Sequence, residues 1–493
     1  MTRKDLSRRM FLKASAMLAG VGALAACGAT PTPQVVEKVV EKEVTKIVEG
    51  TPQVVKETAV VVETVVVKET VVVQPASSGP TFITYVTQYS GPPTNAADDQ
   101  IIAQFEDKNP DVKVKKMTFP GQDPHDKLRI MATAGDLPDC FNIETKQVID
   151  MISRGMCLDI TDMFNAKSGL TKDDYWPGEW EKQFFKGKMY LLSLDTQDVI
   201  IFYNKDIFDK KGVPYPPKDW NDKEWTYEKM IETASKLVEG EGPNRIWGYD
   251  TSRWWVYAYP IVWSYGGLIT NEDRTKSAIT MPETIQALQM RADWINKYKI
   301  TPTPAEATEG AESQFNSGRL AMRAVWSPWA WYIKDVPDLH WDIAVMPGGP
   351  AGRFTRCPQD GMCVGSQTKQ ADKAFRFSMY LAGPDGQALY DNQLGLGLPT
   401  IKKVALSEDY IHPKVKGLEH LDQTLVTEIY TGGHYKHQDV TIKWPEMDKL
   451  ISANMDSLLD GKVTAEEFAK TLDPQITELL QSIPEEWRGW VGD

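Results

Sequence analysis

Residues 81–119 read TFITYVTQYSGPPTNAADDQIIAQFEDKNPDVKVKKMTF, and two periods alternating within them decide the fold class. Thr81 to Thr87 alternates and is rich in β-branched and aromatic side chains, the pattern of a strand. Ala97 to Lys108 places Ile101, Ile102 and Phe105 at helical spacing. It stops before Asn109-Pro110, because a residue preceding proline avoids the α region. Val112 to Phe119 is a second strand, Asp126 to Ala134 a helix ended by Gly135, and Cys140 to Ile143 a short third strand. Strands alternating with helices at this rhythm predict an α/β fold with parallel strands in a doubly wound sheet.

Upstream lie 79 residues of another kind. Ser7-Arg8-Arg9-Met10-Phe11-Leu12-Lys13 precedes a small, apolar run ending in Leu24-Ala25-Ala26-Cys27. A basic start, a short apolar stretch and small residues before the cut define a signal peptide over residues 1–26. The stretch falls short of the roughly 20 residues that a membrane span needs. The paired arginines look like a twin-arginine signal, with general secretory export the alternative, and Leu24–Cys27 resembles the lipobox of bacterial lipoproteins, in which Cys27 would be lipidated. Residues 27–79 repeat Val, Glu and Lys without an aromatic residue, so they cannot build a core. They are expected to be a disordered tether spanning about 40 Å on average. A short amphipathic helix over Val35 to Val48 and pairing of the Val-rich second half as strands with another copy are the competing readings.

Composition narrows the function of the whole. Of 493 residues, 42% are hydrophobic and 25% charged, which excludes both wholesale disorder and a polytopic membrane protein. Five basic against one acidic residue precede Cys27, and seven acidic against five basic follow up to Gly79. From a total of −13, this leaves −15 on residues 80–493, a poor surface for nucleic acid.

Several segments, in order, resemble one family. They are Ala132-Thr-Ala-Gly-Asp-Leu-Pro-Asp139, Gly187-Lys-Met-Tyr190 and Tyr203-Asn-Lys-Asp-Ile-Phe208. Then follow Phe315-Asn-Ser-Gly-Arg-Leu-Ala-Met322, Ser327-Pro-Trp-Ala-Trp331, Ala344-Val-Met-Pro-Gly-Gly-Pro350 and the helix Ala371 to Leu381. Their joint order resembles the extracellular solute-binding proteins of ABC importers, in the maltose-binding class. The resemblance implies a two-lobed periplasmic-binding-protein type II fold. Lobe 1 would take 80–194 and 362–404, and lobe 2 would take 195–361 and 405–493. The hinge would lie at 195–197 and 359–361. It further implies a non-enzymatic, monomeric receptor that captures a carbohydrate by hinge closure and delivers it to ABC permease subunits. The receptor would be extracytoplasmic and held to the cell membrane by acyl chains on Cys27. A secreted glycoside hydrolase with a Trp-lined cleft and a sensory sugar receptor are the alternatives.

Eleven of the 16 tryptophans fall between Trp220 and Trp341, more than a core readily packs. Flat aromatic faces suit the C–H face of a sugar ring. By resemblance, Trp329 stands at the principal sugar-stacking position, with Trp331, Trp326, Trp254, Trp255 and Trp444 as further aromatic contacts. Asp195 and Gln197 lie on the hinge segment. Glu144 and Lys146 follow strand three, Asp123 strand two, and Gln88 and Tyr89 strand one, at strand ends that line the crevice of open α/β sheets. For each of these residues a core or solvated role competes. His434-Tyr-Lys-His437 with Asp439 reads as a solvated loop, so no metal and no cofactor are expected. The local cysteine pairs Cys357–Cys363 and Cys140–Cys157 are candidate disulfides, set against buried free thiols.

Overall fold

The computed structural model describes residues 35–48, 51–64, 79–88, 92–393, 397–438 and 440–488. It divides into two units, residues 1–78 and 79–493. In the first, strands β1 (Val35–Val48) and β2 (Thr51–Thr64) pair antiparallel, with Val48 opposite Thr51. Residues 35–48 and 51–64 thus form a two-stranded ladder where a disordered tether is expected, and the helix reading of 35–48 is excluded. Valines are stiff at χ1 and fit a pleated strand better than a helix. The signal peptide of residues 1–26, Cys27 and Tyr89 lie outside the described residues.

The second unit opens with β3 (Thr81–Val86), α1 (Pro92–Lys108), β4 (Val112–Met117), α2 (Pro124–Ala134), β5 (Cys140–Glu144) and α3 (Thr145–Ser153). Its middle contains β6 (Leu192–Thr196), β7 (Val199–Asn204), β8 (Asp250–Thr251), α4 (Pro282–Asn296), β9 (Met322–Trp326) and β10 (Trp341–Ala344). It closes with β11 (Gln359–Val364), α5 (Ala371–Ala382), β12 (Leu398–Pro399), α6 (Trp444–Leu459) and α7 (Ala465–Gln481). Helix α1 begins five residues before its expected start, because Pro92 and Pro93 suit a first turn whose N–H groups need no partner. Gly135 ends α2 in the left-handed conformation, φ 76°, and its N–H reaches back to the carbonyls of Ala132 and Met131.

One sheet has the order β12-β6-β11-β5-β3-β4. Strand β3 is parallel to β4 and β5, but β11 runs antiparallel to both β5 and β6. The expected all-parallel sheet is thus mixed, because β6 and β11 are the strands by which the chain leaves and re-enters this lobe. The other sheet is β8-β9-β7-β10, with β7 antiparallel to both neighbours. The crossovers lie side by side: Gln359 pairs with Thr196, and the Gln197 N–H donates to the Pro358 carbonyl at 3.1 Å.

Each lobe has its own core. Ile83, Phe105, Phe375 and Phe377 pack on one side of the first sheet, and Phe141, Ile149 and Met151 on the other. The second lobe gathers Ile201, Phe202 and Met322 with Leu458, Phe468 and Leu472 of the C-terminal helices. Eight of the eleven tryptophans between 220 and 341 are buried in this core, each no more than 4% exposed. Indole N–H groups find backbone acceptors there, Trp220 on Leu425 at 2.7 Å and Trp225 on Val345 at 3.2 Å. The density of tryptophan is therefore mostly core packing, and only Trp254, Trp326 and Trp331 of the eleven remain half-buried.

All four cysteines of this unit are buried free thiols, so neither candidate disulfide forms. Gln359 to Val364 is a strand, not the turn expected between Cys357 and Cys363. Six strand residues rise about 20 Å, which holds the two sulfurs apart. Cys363 instead lies beside Cys157, its neighbour across the Cys157–Gly365 bridge, and burial together with that thiol pushes the Cys363 thiol up.

Candidate functional site

The two lobes face each other across the ends of β5, β9 and the crossovers. From lobe 1, Lys146 at the start of α3 places its Nζ 4.4 Å above the Trp254 ring of lobe 2. The Arg356 guanidinium, beside the crossover, lies 5.7 Å from the same ring and 5.6 Å from Tyr257. Lys146 also pairs with Glu144. Burial opposes ionisation of Glu144, but Lys146, His125 and Arg356 outweigh it and hold its carboxyl below the usual range.

Trp254 is fixed from behind. Its Nε1 and that of Trp255 both donate to Asp448 Oδ1 on α6, at 2.7 and 2.6 Å. A carboxylate accepting two indole N–H groups sets the ring plane before any ligand arrives. Trp326 ends β9 half-buried, with Tyr332 edge-on at 5.3 Å and itself 38% exposed. Trp331 leaves lobe 2 to pack against the buried cluster of lobe 1, under the Lys334 ammonium at 4.3 Å. Trp254, Trp331, Glu144 and Lys146 thus stand where the lobes meet, and Trp326 stands half-buried at the end of β9.

The remaining expectations divide. Trp329 is 2% exposed, edge-on to Phe202 and Phe315 at 5.0 Å each, with the Arg323 guanidinium 4.5 Å above its ring. It is a core residue: the turn after β9 points it into lobe 2. Trp255 and Trp444 are core residues too, tilted against each other at 5.3 Å and 1% and 0% exposed. Asp123 caps α2, accepting from the backbone of His125 and Asp126 and from the His125 ring at 3.1 Å. The His125 bond outweighs burial and holds the Asp123 carboxyl well below the usual range.

Asp195 is fully buried rather than presented to the cleft. A Cβ on Gly397 would come within 2.6 Å of Asp195 Oδ2 and 2.9 Å of Asp391 Oδ1, so the two carboxyl groups share one enclosed space. Burial, then the neighbouring Asp198, pushes the Asp195 carboxyl up to about 8. Gln197 does sit at the crossover, donating to Asp360 Oδ2 at 2.6 Å. Burial pushes the Asp360 carboxyl up to about 8. Tyr257, Tyr332 and Arg356 were missed by sequence reasoning. Only Tyr257 carried a signal, three residues beyond Trp254 in an aromatic run. Among the described residues no group of three or more His, Cys, Asp or Glu is arranged to hold a metal. His434 stacks on Trp220 at 5.0 Å.

Two α/β lobes, two adjacent crossover strands and an aromatic, charged surface between them define a two-lobed receptor for a small solute. The chain matches the model of the bacterial extracellular solute-binding proteins over residues 100–417, and it belongs to that family. A binding protein of Brucella abortus (strain 2308) is 25% identical over 390 residues, 76% of this chain and 88% of that one. The arabinooligosaccharide-binding protein of Bacillus subtilis (strain 168) is 25% identical over 260 residues, 50% of this chain and 56% of that one. Among solved structures, the ABC substrate-binding protein Lmo0181 of Listeria monocytogenes, in complex with cycloalternan, superposes with TM-score 0.72 at 24% identity. The match covers 81% of this chain and 98% of that one. Maltose-bound MalE3 of T. maritima superposes with TM-score 0.68 at 20% identity, covering 81% and 99%. These relatives are binding proteins rather than enzymes.

Proposed function

We propose that this protein is the substrate-binding component of an ABC importer and that its ligand is a carbohydrate held between the lobes. The observation that carries this is the set of half-buried rings, Trp254 and Trp331 where the lobes meet and Trp326 at the end of β9, with Lys146, Glu144 and Arg356. Flat faces take the C–H side of a pyranose while the charged groups grip hydroxyls. The saccharides bound by the Listeria, Bacillus and T. maritima proteins support the same class.

The mechanism is closure about the paired crossovers at 195–197 and 359–361, with residues 80–194 and 362–404 moving against 195–361 and 405–493. A ligand favours the closed state by as much as its contacts there exceed those in the open state. The closed form is what permease subunits read. Among the described residues no helix is long and apolar enough to cross a membrane. Attachment falls to acyl chains on Cys27, with a monomeric body outside the cytoplasm on the tether. A thermal-shift panel of neutral oligosaccharides, peptides and divalent metals tests the ligand class. Saccharides should raise the unfolding temperature; a peptide or metal doing so alone contradicts the proposal.

A further inference from the structure

Lobe 2 contains a cavity of about 320 Å³ that no lobe 1 residue lines. Its wall comes from β8 and the segment after it, α4, residues 301–311, Arg323 of β9 and the end of α6. What distinguishes it is an excess of hydrogen-bond donors. Arg291 is 2% exposed; its Nη2 bonds the carbonyls of Ser252 and Trp254, and its Nη1 has no partner. Arg323 lies on the Trp329 ring, and its Nε and Nη1 have no partner. Arg253 uses Nε and Nη2 on Asp456 and Asp460, which leaves its Nη1 without one. The Trp294 indole Nε1, 3% exposed, is unpaired as well. Four side chains of this wall therefore carry buried N–H groups that no protein atom accepts.

Acceptors on the wall are few. Asp250, 8% exposed, is the carboxylate lining the cavity; among the described residues no close ion pair joins it to the three arginines, and it acts on all three through space. Asp456 is largely exposed, and with Asp460 it engages Arg253; Glu312 acts on Arg323 only at longer range. The Thr251 and Thr301 hydroxyls donate to the carbonyls of Ala324 and Tyr249 and accept from none of these four side chains. Buried donors without acceptors are costly, so a cavity that gathers them suits an acceptor-rich guest. Guanidinium groups match the geometry of carboxylate and phosphoryl oxygens, and the volume falls at the small end of ligand sites.

We propose that this cavity binds a compact oxyanion, a carboxylate or phosphoryl group, through Arg291, Arg323 and the Trp294 indole. The site is separate from the facing surfaces of the lobes, so the proposal does not rest on the carbohydrate reading. The anion is either a free species or the acid group of a saccharide.

Calorimetric titration of the full chain at fixed ionic strength with inorganic phosphate, glucuronate and glucose separates these sources. Saturation by phosphate assigns a free anion; saturation by glucuronate but not by phosphate or glucose assigns the acid group of a sugar. In either case R323Q weakens binding at least tenfold while the unliganded variant still unfolds cooperatively as a native protein. R291K keeps the charge but loses the fork, and it weakens binding as well. The Trp294 indole N–H resonance of the wild type moves on saturation, a readout that needs no variant to fold. Absence of binding by both anions at millimolar concentration overturns the proposal. So does binding that is lost in W254A yet unchanged in R323Q and R291K.

Discussion

The Nζ of Lys146 stands 4.4 Å above the Trp254 ring, and the contact joins the two lobes directly. An ammonium over an indole contributes about 0.5–2 kcal/mol, depending on how far it is desolvated. Lys146 is 8% exposed, which puts it toward the upper end. Lys146→Met keeps the length of the side chain and removes the charge. The unliganded variant is expected to sample the open state more, seen as a larger radius of gyration in solution scattering. An unchanged radius would mean that the contact does not hold the lobes together.

Trp329 and Trp326 are three residues apart and have different work to do. Trp329 is enclosed by Phe202, Phe315 and Arg323. Trp329→Ala should lower stability by about 3–5 kcal/mol, as removal of a buried large ring does. Trp326→Ala should leave denaturant unfolding nearly unchanged and weaken ligand binding about tenfold, or 1.4 kcal/mol. The reverse pattern would return Trp329 to the cleft.

How much of this was legible can be judged from the same pair. Strand β3 and the end of α2 at Gly135 follow from local rules, β-branched alternation and a left-handed glycine stop. The order of the segments from Ala132 to Pro350 was enough for the two-lobed architecture. Pro328-Trp329-Ala330-Trp331 looks alike whichever ring faces the cleft, because the direction of the turn is set by Phe202 and Phe315 far away in sequence. Asp195 is hidden by Gly397 and Asp391, some 200 residues later, which no local pattern announces. The antiparallel course of β11 was illegible for a related reason, since strand direction depends on which lobe the chain comes from.

Stability should fall as pH rises. Asp195 holds a proton in the folded state up to about 8, and burial also raises Asp360 to about 8 and Asp198 to about 7. Unfolded aspartates release theirs near 4, roughly. The folded state therefore binds more protons between these limits. The stabilisation is full below about pH 4 and is lost as pH climbs through 7 to 8. Calorimetric unfolding at pH 5.5 and 8.5 should show the drop, and D195N, which mimics the protonated acid, should lessen it. An equal drop in D195N would place the titrating groups elsewhere.

Peptide mapping after alkylation under non-reducing, denaturing conditions should recover Cys140, Cys157, Cys357 and Cys363 each as a separate thiol, as in the structure. A mild thiol oxidant should link Cys157 to Cys363, whose thiols are neighbours. A Cys357–Cys363 or Cys140–Cys157 peptide would contradict the strand geometry of β11.

The central claim is that a saccharide binds between the lobes against Trp254, and calorimetric titration of the wild type and W254A against neutral oligosaccharides tests it most directly. At least one saccharide should bind the wild type with a 1:1 stoichiometry, and W254A should bind it at least about tenfold more weakly while unfolding as a native protein. Failure of every saccharide to bind, or equal affinity in W254A, would contradict the account.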